Sequence, residues 1–300
     1  MHLRQILTRL DHSLIAFLWA IIAVCSFCIM AVSAREVTDT MPVFTVMSWR
    51  IVIMLACISV LVGCSPAGFA QVKTQRIGMH IQRNCWHIIG QGCWIWGIAL
   101  IPLAQVFALE FTTALWVALA APFFLKERLG GLRIAAIIIG FAGALIILRP
   151  GLIALSTGSL IVMVAAVGFA GSMICTKKLA ESETTLAILF YMAMVQLPIA
   201  CFLAFDDLRL PVWEEIPALV FLSLGAISAH FSLTSAYRYA SPTFVGTIDF
   251  LRIPMIAIAG YWLYDEHLDQ FLAIGTAFMV FGNYLNLRSQ NPHNIVGPKS

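Results

Sequence analysis

IPLAQVFALEF, residues 101–111, decides how this chain is read. It joins two apolar runs and has no strong polar break of its own. Read straight through, it fuses the runs into one segment. Read as a turn, with Pro102 and Gln105 as its markers, it separates them. The choice sets the side on which every later loop falls, and the charges of those loops decide it.

The chain has 300 residues, 61% hydrophobic and 11% charged, with a mean hydropathy of +0.92. A soluble domain carries about 25% charged and 45–50% apolar residues. This is the composition of a polytopic membrane protein with nearly all of its sequence in or against the lipid bilayer. Apolar stretches near 20 residues mark spanning helices. They fall at 13–34, 43–63, 84–103, 105–125, 132–149, 155–175, 184–204, 216–236, 243–264 and 268–287. With the N-terminus cytoplasmic, the inner segments hold Arg4, Arg9, Lys73, Arg76, Arg83, Lys126, Arg128, Arg133, Lys177, Lys178, Arg238, Arg288 and Lys299. The opposite side holds Arg35, Arg149 and Arg209, among acidic residues such as Glu36, Asp206, Glu215 and Glu266. The positive-inside rule predicts this asymmetry. Fusing the third and fourth spans would destroy it. Ten spans with both termini cytoplasmic is therefore the expected arrangement.

Other readings of the composition are weaker. The net charge of +3 comes with no basic face or nucleic-acid motif. The eight cysteines lie in or at the ends of apolar runs, and the Cys25–Cys28 pair has no second pair at metal-site spacing. They read as small buried hydrophobes. MHLRQILTRLDHS followed by an apolar run and AVSA resembles a signal peptide. The run is longer than the usual 7–15 residues, so it reads as an uncleaved first helix. There is no HExxH, phosphate-binding loop or soluble domain to hold a cofactor, so neither enzyme chemistry nor a cofactor or metal is expected.

KERLGGLRIAAIIIGFAGALIILR (126–149) and DEHLDQFLAIGTAFMVFGNYLNLR (265–288) align at a constant offset of 139. Glu127 meets Glu266, Leu129 meets Leu268, Gly143 meets Gly282, and Leu148–Arg149 meet Leu287–Arg288. Five helices per half is an odd number, so the halves insert in opposite orientations. Inverted repeats of this kind belong to secondary transporters, with the substrate near the midplane between halves. The boundaries are residues 1–150 for the first repeat, 151–290 for the second and 291–300 for a cytoplasmic tail. The paired GFAG motifs, with Gly140/Gly143 and Gly168/Gly171, read as close helix packing.

At this point the sequence resembles the EamA-type transporters of the drug/metabolite transporter superfamily. The matching stretches are residues 101–130, GFAGALIILRPG (140–151), AYRYASPTFVGTIDFLR (236–252) and YWLYDE (261–266). The resemblance covers essentially the whole chain. It departs at Ala114, where many relatives carry Pro, which puts the local bend of the fourth span in question. The resemblance implies ten helices around a central cavity, a bacterial inner-membrane location and transport by alternating access. Members carry amino acids, their derivatives, vitamins and related metabolites, more often outward.

Polar side chains inside spans are functional candidates by default. Here they are Arg50, preceded by Trp49, then Gln91, Trp94, Glu110, Tyr191, Gln196, His230, Asp249 and Arg252. Counting from the span ends puts Arg50 and Glu110 in similar layers. Asp249 and Arg252 are i,i+3 neighbours on one helical face. Each charge then has a partner, and two readings stand. The charges are a structural clamp, or Arg50 and Arg252 face a substrate carboxylate while Asp249 or Glu110 receives an ammonium or a proton. Such a set would suit a zwitterion. His230 reads as a packing residue or a proton relay. Trp86 fits an interfacial belt, and Trp94, Trp96 and Trp116 line a cavity or face lipid. Pro254 can kink the ninth span. The first functional expectation is export of an amino acid or amino-acid-derived compound, an opine-type metallophore included. The alternatives are uptake of a cofactor-like metabolite such as S-adenosylmethionine or a vitamin, and a non-transporting membrane scaffold.

Overall fold

The computed structural model describes residues 2–124, 130–150, 156–240, 242–267 and 269–289. Lys126, Glu127, Arg128, Leu129, Leu268, the 151–155 junction and the 291–300 tail with Lys299 lie outside the described residues. The described residues are helical throughout. The helices are α1 (His2–Thr38), α2 (Val43–Cys64), α3 (Ile77–Leu100), α4 (Leu103–Glu110), α5 (Thr112–Phe124), α6 (Gly131–Leu148), α7 (Thr157–Leu179), α8 (Thr185–Leu203), α9 (Ile216–Tyr239), α10 (Pro242–Asp249), α11 (Arg252–Tyr264) and α12 (Gln270–Ser289). Among the described residues, seven segments are long and apolar enough to cross a membrane, one of them running through α4 and α5 as Leu103–Phe124. Helices suit this solvent because they satisfy their own backbone groups.

The turn read at residues 101–111 lies at its first two residues. Ile101 and Pro102 are extended and separate α3 from α4, as expected where proline bars its predecessor from helical backbone. Gln105 is helical instead, and its amide donates to Ser159 of α7 at 2.9 Å. Residue 111 holds a second interruption.

The fourth and ninth spans were each counted as one helix, the ninth open to a kink at Pro254, and both are broken. Between α10 and α11, Pro254 has no N–H for the carbonyl of Phe250 and would crowd it. The Ile253 N–H takes that carbonyl at 3.2 Å, and Leu251 N–H bonds Ile248 O at 2.9 Å. Between α4 and α5 there is no proline. The Phe111 N–H is shared by Phe107 O (3.1 Å) and Ala108 O (3.2 Å). The Thr112 hydroxyl takes Leu109 O at 2.6 Å, and Asn283 of α12 donates to Phe111 O at 2.9 Å. Side chains here do what a proline does in the other helix.

The principal helix pairs are α1 with α9, α3 with α7, α6 with α12 and α2 with α8. The GFAG motifs sit in two of them. A Cβ on Gly143 would lie 2.5 Å from Gly275 O, and one on Gly282 would lie 2.7 Å from Gly140 N and 2.8 Å from Ala136 O. A Cβ on Gly168 would lie 2.6 Å from Gly90 N of α3, and one on Gly171 would strike the Trp86 ring. Trp86 thus packs against α7 with its remaining face exposed.

Two of the cations assigned to the inner segments are buried within helices. Arg83 lies two turns into α3, which starts seven residues earlier than expected, and Arg133 lies in α6; both are buried. Arg83 donates to Asn84 Oδ1 at 2.7 Å and Thr176 Oγ1 at 3.2 Å. At one end of the bundle, Arg35 binds Glu266 at 3.0 Å, and Glu266 also accepts the Leu103 N–H at 2.8 Å, capping α4. Arg149 pairs with Asp269 and Arg209 with Glu215, each at 2.5 Å. The Arg209 hydrogen bonds hold the Glu215 carboxyl down at about 2, with help from the Val212 N–H and Thr40. At the opposite end, Thr74 donates to Glu183 at 2.6 Å, and Arg76 to Lys178 O at 2.7 Å.

The α6–α12 crossing gives the first prediction. Gly282→Ala forces these backbones apart and lowers the thermal stability of the purified protein, at a cost of about 1–3 kcal/mol. Gly131→Ala, whose Cβ would meet nothing within 4 Å, does not lower it. Thermal melts of the two variants in detergent check this.

Candidate functional site

One face of α3 carries a polar column. His80, Asn84, His87, Gln91 and Trp94 recur at helical spacing, and all are buried. From His80 to Trp94 the rise is about 21 Å. The Gln196 amide of α8 bonds Asn84 Oδ1 at 3.0 Å and shares a hydrogen bond with His87 Nδ1 at 3.1 Å. Asn84 also donates to His80 O and Tyr191 O. The Gln91 Oε1 is buried without a partner.

The column ends at a shared arginine. The Trp94 indole donates to Glu110 Oε2 at 2.7 Å. The other Glu110 oxygen lies 3.4 Å from Arg252 Nη1, while Arg252 Nη2 bonds Asp249 at 2.6 Å. The Arg252 guanidinium lies 4.4 Å from the Phe27 ring centre, 4.8 Å from Phe111 and 5.7 Å from Phe107. Aromatic faces attract a cation at such range. Phe111 in turn touches Phe250, with ring centres 5.3 Å apart. Glu110 closes α4, Asp249 closes α10 and Arg252 opens α11. The triad therefore stands where both spans break, and it ties α4 to the α10–α11 break across the core. With all three groups ionised it holds one excess negative charge, which a proton or a ligand cation would balance.

The ten candidate residues do not form one cluster. Trp94, Glu110, Asp249 and Arg252 meet at the triad, and Gln91 and Gln196 lie along the column. His230 of α9 sits edge-on to Phe27, 6.1 Å between ring centres, beside that cage. Tyr191 lies at the far end, bonding Val72 O at 2.9 Å and stacked 4.3 Å from the His80 ring. Trp49 is remote: its indole donates to Arg209 O at the bundle end. Arg50 does not pair with Glu110. Axial counting gives depth but not the side of the bundle, and Glu110 faces Arg252. Trp96 is exposed on the outer surface, and the half-buried Trp116 packs edge-on against Phe141.

The model of the EamA-like transporter family matches residues 14–149 and again 156–288. The chain belongs to the EamA-like transporter family. It is similar to a riboflavin transporter of Vibrio cholerae, 26% identical over 90% of this chain and 91% of that protein. It is also similar to an S-adenosylmethionine uptake transporter of Rickettsia bellii, 26% identical over 70% and 72%. A pseudopaline exporter of Pseudomonas aeruginosa is 25% identical over 88% and 92%. A solved crystal structure at 19% identity shares the fold, with a TM-score of 0.59 over 90% of this chain and 95% of that one.

This EamA-like chain is a transporter of the drug/metabolite class and not an enzyme. Sequence reading missed Asn84, Arg83 and the Phe27–Phe107–Phe111 cage. The i,i+4,i+7 spacing of polar residues from His80 signals the column, but only once α3 is begun at Ile77. Phenylalanines in an apolar span give no such signal.

Removing Arg252 separates clamp from site. Arg252→Gln leaves two part-buried carboxylates without their cation and costs up to about 3 kcal/mol. The neutral triple variant Glu110→Gln/Asp249→Asn/Arg252→Met regains most of that stability but no transport. Melts and transport assays on the same preparations read both outcomes.

Proposed function

We propose that this chain is an inner-membrane secondary transporter that takes up a cofactor-like metabolite by alternating access between two five-helix halves. The first half is 1–150 and the second 151–290, with a cytoplasmic tail at 291–300 and both termini cytoplasmic. Counting α4–α5 and α10–α11 as one broken span each gives ten spans. Several features support inverted repeats. The 139-residue offset carries Glu110 to Asp249 and Phe111 to Phe250, and these pairs occupy the two breaks. The α6–α12 contacts are reciprocal under that offset: Gly143 faces Gly275 and Met279, while Gly282 faces Ala136 and Gly140. The α1–α9 and α3–α7 pairs exchange helices between the halves in the same sense. Discontinuous helices at the midplane are where such transporters bind substrates and coupling ions.

The observation that carries the reading is the buried polar column from His80 to Trp94 leading to the Glu110–Arg252–Asp249 triad. An apolar packing helix has no use for it, and unfilled polar groups in such a place are costly. Riboflavin and S-adenosylmethionine, named for two of the relatives, share a fused aromatic heterocycle on a hydroxylated five-carbon sugar unit, open in one and a ring in the other. A path of hydrogen-bonding side chains ending in aromatic rings suits that chemistry. The surplus negative charge of the triad makes Glu110 and Asp249 the proposed proton-binding pair. Export of an amino-acid-derived compound is the second reading, favoured by the similarity to the pseudopaline exporter.

Proteoliposomes holding the purified protein test this. They accumulate radiolabelled riboflavin or S-adenosylmethionine at least tenfold above protein-free vesicles, and Asp249→Asn abolishes the accumulation driven by a proton gradient. If neither compound enters, and cells lacking the gene retain an amino-acid-derived compound that wild-type cells release, the export reading replaces uptake.

A further inference from the structure

Arg50 is the largest fully enclosed side chain in the described structure, 2% exposed. Its Nε and Nη1 have no hydrogen-bond partner. Among the described residues Arg50 forms no ion pair with a carboxylate. Arg50 lies near enough to His87 on α3 and His230 on α9 to act on both electrostatically, as does Arg83. Ser223 of α9 donates to the Arg50 carbonyl at 3.2 Å and fixes α2 against α9 at this level.

The contrast with Arg252 is the argument. Arg252 has two carboxylates and three rings around it. Arg50 is enclosed as deeply and has neither. A buried charge without a counter-charge is unfavourable, and a guanidinium is built to bind carboxylate or phosphate through two parallel hydrogen bonds. We propose that Arg50 is an anion receptor, taking a carboxylate or phosphate group of the transported molecule between α2, α3 and α9. This deepens the transport reading and rests on it for the ligand being cargo. The excess negative charge at the triad supplies the opposite pole, so the preferred cargo carries an anionic and a cationic group, as S-adenosylmethionine does and riboflavin does not.

The test uses the purified full-length protein in detergent and needs no identified cargo. Thermal unfolding is followed with sodium acetate or sodium phosphate added at constant ionic strength. Wild type gains several degrees with one of them, and which one names the anionic group. Arg50→Met loses that gain and melts at or above the anion-free wild type, because an uncompensated charge has been removed. Arg50→Lys keeps the gain. The proposal is overturned if Arg50→Met melts lower or cannot be recovered folded, if it keeps the gain, or if neither anion stabilises wild type. A failure of riboflavin and S-adenosylmethionine transport would leave these melts unchanged, so the two failures are distinguishable.

Discussion

Arg252 holds this molecule's interior together. Two spans break, and each break leaves a carboxylate at the end of its first half: Glu110 on α4 and Asp249 on α10. In a low-dielectric core each of these charges calls for a counter-charge. One guanidinium reaches both, and three phenylalanine rings close around it. Such an arrangement adds little stability over an apolar core of the same volume. What it adds is specificity, because the helix breaks, the cage and the polar column of α3 have to meet at one point.

Charge in the rest of the molecule follows the same logic. The end of the bundle with Arg35, Arg149 and Arg209 is tied by ion pairs, two of them between segments far apart in the chain and the third, Arg209–Glu215, within the loop before α9, and the Glu266 carboxylate also caps α4. The opposite end is held by hydrogen bonds from Thr74, Arg76 and Tyr191. Between them lie packed apolar side chains and close glycine contacts. Alternating access requires one end to open while the other stays shut. Polar ties at both ends suit that exchange, since water can replace them when an end opens.

Much of the fold was legible. The turn at Pro102 follows from proline chemistry. The Asp249–Arg252 pair was visible as an i,i+3 spacing, although the helix between them is broken. The partner of Glu110 was not visible. Depth along a helix can be counted from sequence, but the facing of two helices comes from packing, and so Arg50 was matched with a carboxylate it does not meet. Arg83 was read as a loop cation because a charge at a span edge is usually solvated, and here Asn84 and Thr176 solvate it inside. The break at Phe111 was hidden because it uses the Thr112 hydroxyl and Asn283 instead of a proline.

The central claim is that Glu110 and Asp249 are joined through Arg252, and a double-mutant cycle measures that directly. Unfolding free energies would be compared for wild type, Glu110→Gln, Asp249→Asn and the double variant, and the cycle repeated in an Arg252→Met background. The account predicts a coupling of about 1 kcal/mol or more that vanishes when Arg252 is absent. Effects that add within about 0.5 kcal/mol with Arg252 in place would contradict it.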